Sequence, residues 1–201
     1  MIRHIVFDMG QVLLQFSAEL FTERLHLSAE DAELIRREVL ATTEWVRMDR
    51  GTISDDDALA RMCARLPQRL HDTAAYLVHH WNDPIIPVPG MAELACDLKN
   101  AGYDLYLLSN AAARQHTYWH DIPGSQWFSG TFISADYHLL KPEAAIYQAF
   151  FEKFGLKPEE CLFIDDYPAN IEASENAGMR GIIFHGDAAR LRRQLAELGI
   201  L

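Results

Sequence analysis

Short apolar runs separated by helical patterns constrain this 201-residue chain more than any other feature. Ile5-Val6-Phe7, Leu105-Tyr106-Leu107-Leu108 and Cys161-Leu162-Phe163-Ile164 are bounded by turn signals and read as buried parallel strands. Strands that alternate with helices build a parallel, doubly wound α/β sheet of Rossmann-like type. In such a sheet every carboxyl end opens on one edge, where ligands bind. The residues waiting at these ends are Asp8, Ser109-Asn110 and Asp165-Asp166, and a fourth segment, Leu140-Lys141-Pro142-Glu143, adds a lysine. Four distant places therefore converge on one predicted site holding a nucleophile, a hydroxyl, a lysine and paired carboxylates.

Between the first two strands the pattern changes. From Phe16 to Trp81 no strand is evident, and the chain reads as helices over Ala18 to His26, Ala29 to about Thr42, Asp55 to Leu66 and Thr73 to Trp81. Ser28 and Ser54, each followed three residues later by an aspartate, are N-cap signals. Asp83-Pro84 and Pro87-Val88-Pro89-Gly90 then break the chain. The expected organisation is a core made of residues 1–15 and 88–201, with residues 16–87 inserted as a helical cap above the strand ends. Within the core, helices are expected from Met91 to about Ala101, Ala111 to Trp119, Ala169 to Ala177 and Ala188 to Leu198. Another opens at Pro142 and stops at Gly155. Short strands are expected at Thr131 to Ser134 and Gly181 to Phe184.

Composition excludes several roles. The formal net charge of −11 disfavours nucleic acid as a partner, and no polybasic patch suits a membrane surface. No apolar stretch approaches the roughly 20 residues that span a bilayer. The first residues enter a strand without a signal peptide's apolar segment, so a soluble cytoplasmic protein is expected. Cys63, Cys96 and Cys161 show neither pairing nor metal spacing and read as reduced thiols. An acidic protein that takes an anionic substrate must reverse its charge locally. A divalent cation at Asp8, Asp165 and Asp166, with Lys141 nearby, would do so.

Each residue type suits one part of phosphoryl chemistry. A carboxylate such as Asp8 can attack phosphorus and carry a covalent phosphate. Mg²⁺ takes oxygen donors, commonly one or two carboxylates with water and substrate phosphate, so Asp166 and Asp165 are expected ligands, Asp166 the closer. Asn170 is placed to orient Asp166 or the metal's waters. Ser109 and Asn110 offer donors to phosphate oxygens, and the Lys141 ammonium can reach both a transferring phosphoryl group and Asp8. In the insertion, Trp45, Arg47 and Arg50 are candidates to meet the substrate.

These segments resemble the motifs of the haloacid dehalogenase-like (HAD) hydrolase superfamily. Val6-Phe7-Asp8-Met9-Gly10-Gln11-Val12-Leu13 is similar to its first motif, Leu108-Ser109-Asn110 to its second, Lys141-Pro142-Glu143 to its third and Phe163-Ile164-Asp165-Asp166-Tyr167-Pro168-Ala169-Asn170 to its fourth. The resemblance implies a Rossmann-like core with an inserted helical cap, Asp8 as nucleophile, and metal held by Asp8, the Gly10 carbonyl and the fourth-motif carboxylates. Most phosphatases of the family carry a second aspartate where this chain has Gly10, as proton donor to the leaving oxygen. A subgroup with glycine there, which this chain resembles, is similar to bacterial α-D-glucose-1-phosphate phosphatases. An anomeric oxygen is a better leaving group than an ordinary alkoxide and needs less acid help. The expected function is Mg²⁺-dependent hydrolysis of a small phosphorylated metabolite, with a sugar 1-phosphate as the suggested substrate. The alternatives are a metal-independent 2-haloacid dehalogenase and a non-catalytic phospho-ligand-binding module. Neither the physiological substrate nor the choice between monomer and dimer is fixed by the sequence.

Overall fold

The computed structural model describes residues 1–201. Five parallel strands form one sheet: β1 (His4–Phe7), β2 (Asp104–Ser109), β3 (Phe128–Ile133), β4 (Cys161–Asp165) and β5 (Arg180–Ile183), in the order β3-β2-β1-β4-β5. β1 pairs with β2 through Phe7 opposite Leu107, and with β4 through Phe7 opposite Ile164. The Asp8 N–H extends that ladder by donating to the Ile164 carbonyl at 2.9 Å. After β3 the chain crosses to the far side of β1, so the carboxyl ends of β1, β2 and β4 meet where the strand order reverses.

Strand periodicity sorts the apolar side chains onto two faces. Ile5, Phe7, Leu105, Leu107, Leu162 and Ile164 belong to one buried cluster of 37 residues, whereas Val6, Tyr106, Leu108, Cys161 and Phe163 belong to another of 11. The larger cluster runs without a break into the insertion, through Phe21, Ile35, Val39, Met48, Met62 and Leu77. Core and insertion are thereby held by one apolar mass; a fully buried Phe or Leu contributes about 1.5–3 kcal/mol to it.

The helices follow their caps. Ser28 Oγ accepts from Asp31 N at 3.2 Å and Ser54 Oγ from Asp57 N at 3.1 Å, opening helices Ala29–Ile35 and Asp55–Cys63. The expected single helix from Ala29 to about Thr42 is corrected. It widens into a π turn over Arg36–Leu40, breaks at Ala41, and a new helix, Thr43–Asp49, starts on a Thr42 cap that accepts from Trp45 N at 3.1 Å. Thr, Thr and Val at this junction are weak helix formers, which hid the second start. The segment expected as a helix from Ala111 is helical only over Gln115–Tyr118, with a 3₁₀ turn after it. Pro142 stands two residues before the helix Ala144–Phe154 rather than opening it; Gly155, with φ of 65°, ends that helix as expected. Cys63, Cys96 and Cys161 are free thiols. No helix is long and apolar enough to cross a membrane.

Candidate active site

Asp8 lies one residue beyond β1, and Asp165 is the last residue of β4, beside it. Lys141 reaches between them: its Nζ is 2.9 Å from Asp8 Oδ1 and 2.6 Å from Asp165 Oδ2, with a side chain only 1% exposed. The lysine arrives there because the end of β2 grips its backbone. Asn110 Nδ2 donates to the Lys141 carbonyl at 3.0 Å, and Lys141 N–H donates to Asn110 Oδ1 at 2.8 Å. The Asn110 amide, expected to face phosphate, is thus engaged in bracing the lysine. Ser109 is buried at the end of β2 beside it.

Asp165 is the more fully committed member of the carboxylate pair. Its Oδ1 accepts from Tyr167 N at 2.8 Å and from Asn170 Nδ2 at 3.1 Å, while its Oδ2 takes Lys141 and a second contact from Asn170. Asn170 therefore braces Asp165 rather than Asp166, and is itself held by Tyr147, whose hydroxyl donates to the Asn170 carbonyl at 2.9 Å. Asp166 is half-buried, and burial first and the field of Asp165 second raise its carboxyl above the ordinary range.

The charges do not close on themselves. Asp8 Oδ1 is buried and meets only the Lys141 ammonium, in an ion pair at 2.9 Å that Lys141 shares with Asp165. Burial pushes the Asp8 carboxyl up to about 6; Lys141 pulls it down and Asp165 pushes it up again. Burial lowers Lys141, but the fields of Asp8 and Asp165 outweigh this and hold it above its usual value. Carboxylate oxygens of Asp8, Asp165 and Asp166 all lie within 4.8 Å of one another. Three hard oxygen donors gathered in this way fit a divalent cation such as Mg²⁺.

Beyond the strand ends lies a cavity whose floor includes Met9, Gly10 and Asn110, and whose opposite wall comes from the insertion. Ten of its fifteen lining residues are hydrophobic, so this wall meets a ligand chiefly through shape and apolar contact. Trp45 lines it. Arg47 and Arg50 do not. Arg47 donates to the Thr52 carbonyl at 3.3 Å. Arg50 forms an ion pair with Glu143 and donates to the His138 carbonyl at 3.2 Å, tying the insertion to the loop that carries Lys141. The next residue, Gly51, has φ of 70°, and a Cβ there would stand 2.4 Å from the Ala135 carbonyl oxygen. Arg50 serves as a staple because the chain passes that close.

Sequence reasoning missed two residues at this cavity. Asp49 lies four residues after Trp45, which puts both on one face of helix Thr43–Asp49; that spacing was the available signal. Arg114 ties the segment after β2 to the insertion by donating to the Val78 and His79 carbonyls and, at 2.5 Å, to Asn82 Oδ1. No local pattern marks it.

The comparisons with known proteins agree with this architecture. The chain is 26% identical over 183 residues to a sesquiterpene phosphatase of Aspergillus oryzae, covering 88% of this chain and 87% of that one. It is 30% identical over 165 residues to flavin mononucleotide hydrolase 1 of Arabidopsis thaliana, covering 78% of this chain and 62% of that protein. Among solved structures, a HAD family enzyme of Bacteroides thetaiotaomicron in complex with magnesium and inorganic phosphate superposes with a TM-score of 0.70 at 20% identity, covering 94% of this chain and 98% of that one. At that identity the likeness speaks for the fold alone. The model of haloacid dehalogenase-like hydrolases matches residues 2–178, most of the length over which the sheet and its strand-end residues are laid out, and the chain belongs to that family.

Proposed function

We propose that this protein is a Mg²⁺-dependent phosphomonoester hydrolase that acts on a small phosphorylated metabolite through an aspartyl-phosphate on Asp8. The observation that carries the reading is the buried Asp8–Lys141–Asp165 cluster at the sheet's switch point, with the carboxylates of Asp8, Asp165 and Asp166 gathered within 4.8 Å of one another. Asp8 supplies the carboxylate that attacks phosphorus. Lys141 places a fixed positive charge beside it, where charge on the phosphoryl oxygens has to be stabilised. Ser109 and the backbone after β2 offer donors to those oxygens. Asp8, Asp166 and the Gly10 carbonyl would hold Mg²⁺, with Asp165 mainly orienting Lys141; the bound ion would neutralise phosphate charge. Residues 16–87 act as the cap, covering the strand ends and excluding water from the covalent intermediate.

For the substrate, a sugar 1-phosphate is the leading choice on leaving-group grounds, since Gly10 carries no acid. The aromatic wall supports a second choice, a phosphate ester with an apolar or planar leaving group; the sesquiterpene and flavin mononucleotide activities of the two relatives point the same way. A metal-independent dehalogenase reaction is disfavoured, because three carboxylates crowded together repel one another without a cation. The test is phosphate release from sugar phosphates, flavin mononucleotide, a prenyl phosphate and p-nitrophenyl phosphate, with Mg²⁺ and with EDTA, beside Asp8→Asn. Release that requires metal and falls on the order of 10⁴-fold in Asp8→Asn is expected. Release that survives the substitution overturns the assignment of the nucleophile.

A further inference from the structure

Hydrolysis of an alkyl phosphate must deliver a proton to the departing oxygen and later remove one from water. Gly10, next in space to the nucleophile's strand end, has no side chain to do either. The titratable side chains that border the cavity are Asp49, Asp55, Arg114 and Tyr118. Arg114 is engaged with Val78, His79 and Asn82. Burial drives the Tyr118 hydroxyl far above its ordinary value, so it makes a poor donor and a worse base. Asp55 starts a helix at the cavity mouth and also borders the two open clefts outside it. Asp49 remains. It is at the end of helix Thr43–Asp49 and lines the same cavity as Gly10, with no lysine, arginine or histidine paired to its carboxyl, while its backbone is fixed by Ser134 Oγ, which donates to the Asp49 carbonyl.

We propose that Asp49 is the general acid and base of the hydrolysis, supplied by the insertion in place of the side chain that Gly10 lacks. This rests on the phosphatase reading above. In the first step an Asp8 oxygen bonds to phosphorus, the bond from phosphorus to the ester oxygen breaks, and the Asp49 proton passes to that oxygen, releasing the alcohol. In the second, water attacks phosphorus and gives its proton to the Asp49 carboxylate. The bond from phosphorus to Asp8 breaks, inorganic phosphate leaves, and both aspartates return to their starting states. Burial holds the Asp49 carboxyl well above the ordinary carboxylate range; the Ala112 N–H opposes this and the charges of Asp8 and Asp55 add to it. That direction favours the protonated form which the first step requires. Because the acid comes from the insertion, it reaches the leaving oxygen only while the insertion packs on the strand ends.

The experiment compares wild type, Asp49→Asn, Asp49→Glu and Asp8→Asn on esters whose alcohols differ in acidity, from p-nitrophenyl phosphate through glucose 1-phosphate to glycerol phosphate, in Mg²⁺. Thermal melts confirm that each variant is folded. Asp49→Asn is expected to slow glycerol phosphate about 10²–10⁴-fold. It should still release p-nitrophenol in a first-turnover burst and accumulate a phosphorylated Asp8, detected by mass spectrometry. Asp49→Glu should recover part of the loss. A uniform loss across all esters with no phosphoryl adduct, or no loss at all, overturns the role of Asp49 and leaves the phosphatase reading standing. Wild-type inactivity on every ester overturns both.

Discussion

The strand-end cluster and the cavity beside it give the site two walls built on opposite principles. At the strand ends, buried charges answer one another: Lys141 sits between Asp8 and Asp165, Asn170 and the Tyr167 N–H complete Asp165, and Asn110 fixes the lysine's backbone. Across from it, the insertion presents Trp45, Met48, Val78 and Trp81, with Asp49 among them and no cation at its carboxyl. The first wall suits the phosphoryl group, which is the same in every ester, and the second suits the leaving group, which differs. On the proposed reading the nucleophile comes from the strand ends and the acid Asp49 from the insertion, so the chemistry needs both parts of the chain, which the Arg50–Glu143 and Arg114 contacts join.

Removing the lysine breaks the charged wall most severely. Lys141→Met leaves Asp8 and Asp165 buried without their cation, and is expected to cost about 3–5 kcal/mol in urea denaturation at neutral pH. The cost should shrink in acid, where the carboxylates take up protons.

Asp8 itself is expected to show the reverse sign. Its folded value of about 6 stands above the unfolded 3.8, so it binds its proton more tightly when folded. Its contribution to stability is full below pH 3.8 and is lost as pH rises through about 6. Without metal, Asp8→Asn is therefore expected to be more stable than wild type by on the order of 1–3 kcal/mol at pH 8, and equal to it near pH 3.5. Denaturation across that range checks this; a destabilised Asp8→Asn at pH 8 would mean that Lys141 more than repays the burial of Asp8.

The apolar wall should respond in binding rather than in fold. Trp45→Ala is expected to raise KM about tenfold for bulky esters, with a smaller change for inorganic phosphate as a product inhibitor. Equal effects on both would show that the tryptophan supports the phosphate side as well. The smallest effect belongs to the staple between the walls. Arg50→Ala removes a part-exposed ion pair, and is expected to cost about 1 kcal/mol or less, and less still in high salt.

The charged wall was legible because its residues sit at the ends of short apolar runs, where chain direction and sheet geometry leave few places for them to go. Asp8, Lys141 and Asp165 are read from such positions. Even there, the partners were not: Asn110 turns to the Lys141 backbone and Asn170 to Asp165, choices settled by contacts across the sheet. The insertion was less legible. Its N-caps at Ser28 and Ser54 are local and were found, but the π turn at Arg36–Leu40 and the restart at Thr42 arise from packing. Arg50 carries a charge that looks ready for an anion, yet the close approach of Gly51 to Ala135 delivers it to Glu143. Asp49, beside it, showed only helical spacing from Trp45.

The position of β1 also sets a schedule. It precedes the other strands in the chain but occupies the middle of the sheet, where His4 must find Asp104 on one side and Cys161 on the other. At roughly 5–20 residues per second of synthesis, on the order of ten seconds or more pass between the emergence of β1 and that of β4. Until then the segment bearing Asp8 lacks the neighbour that brings Asp165, and a nascent chain or a fragment ending before β4 carries the proposed nucleophile without its buried partners. The pairing that sets Asp165 beside Asp8 is available only late in synthesis, once the fourth strand has emerged to meet the first.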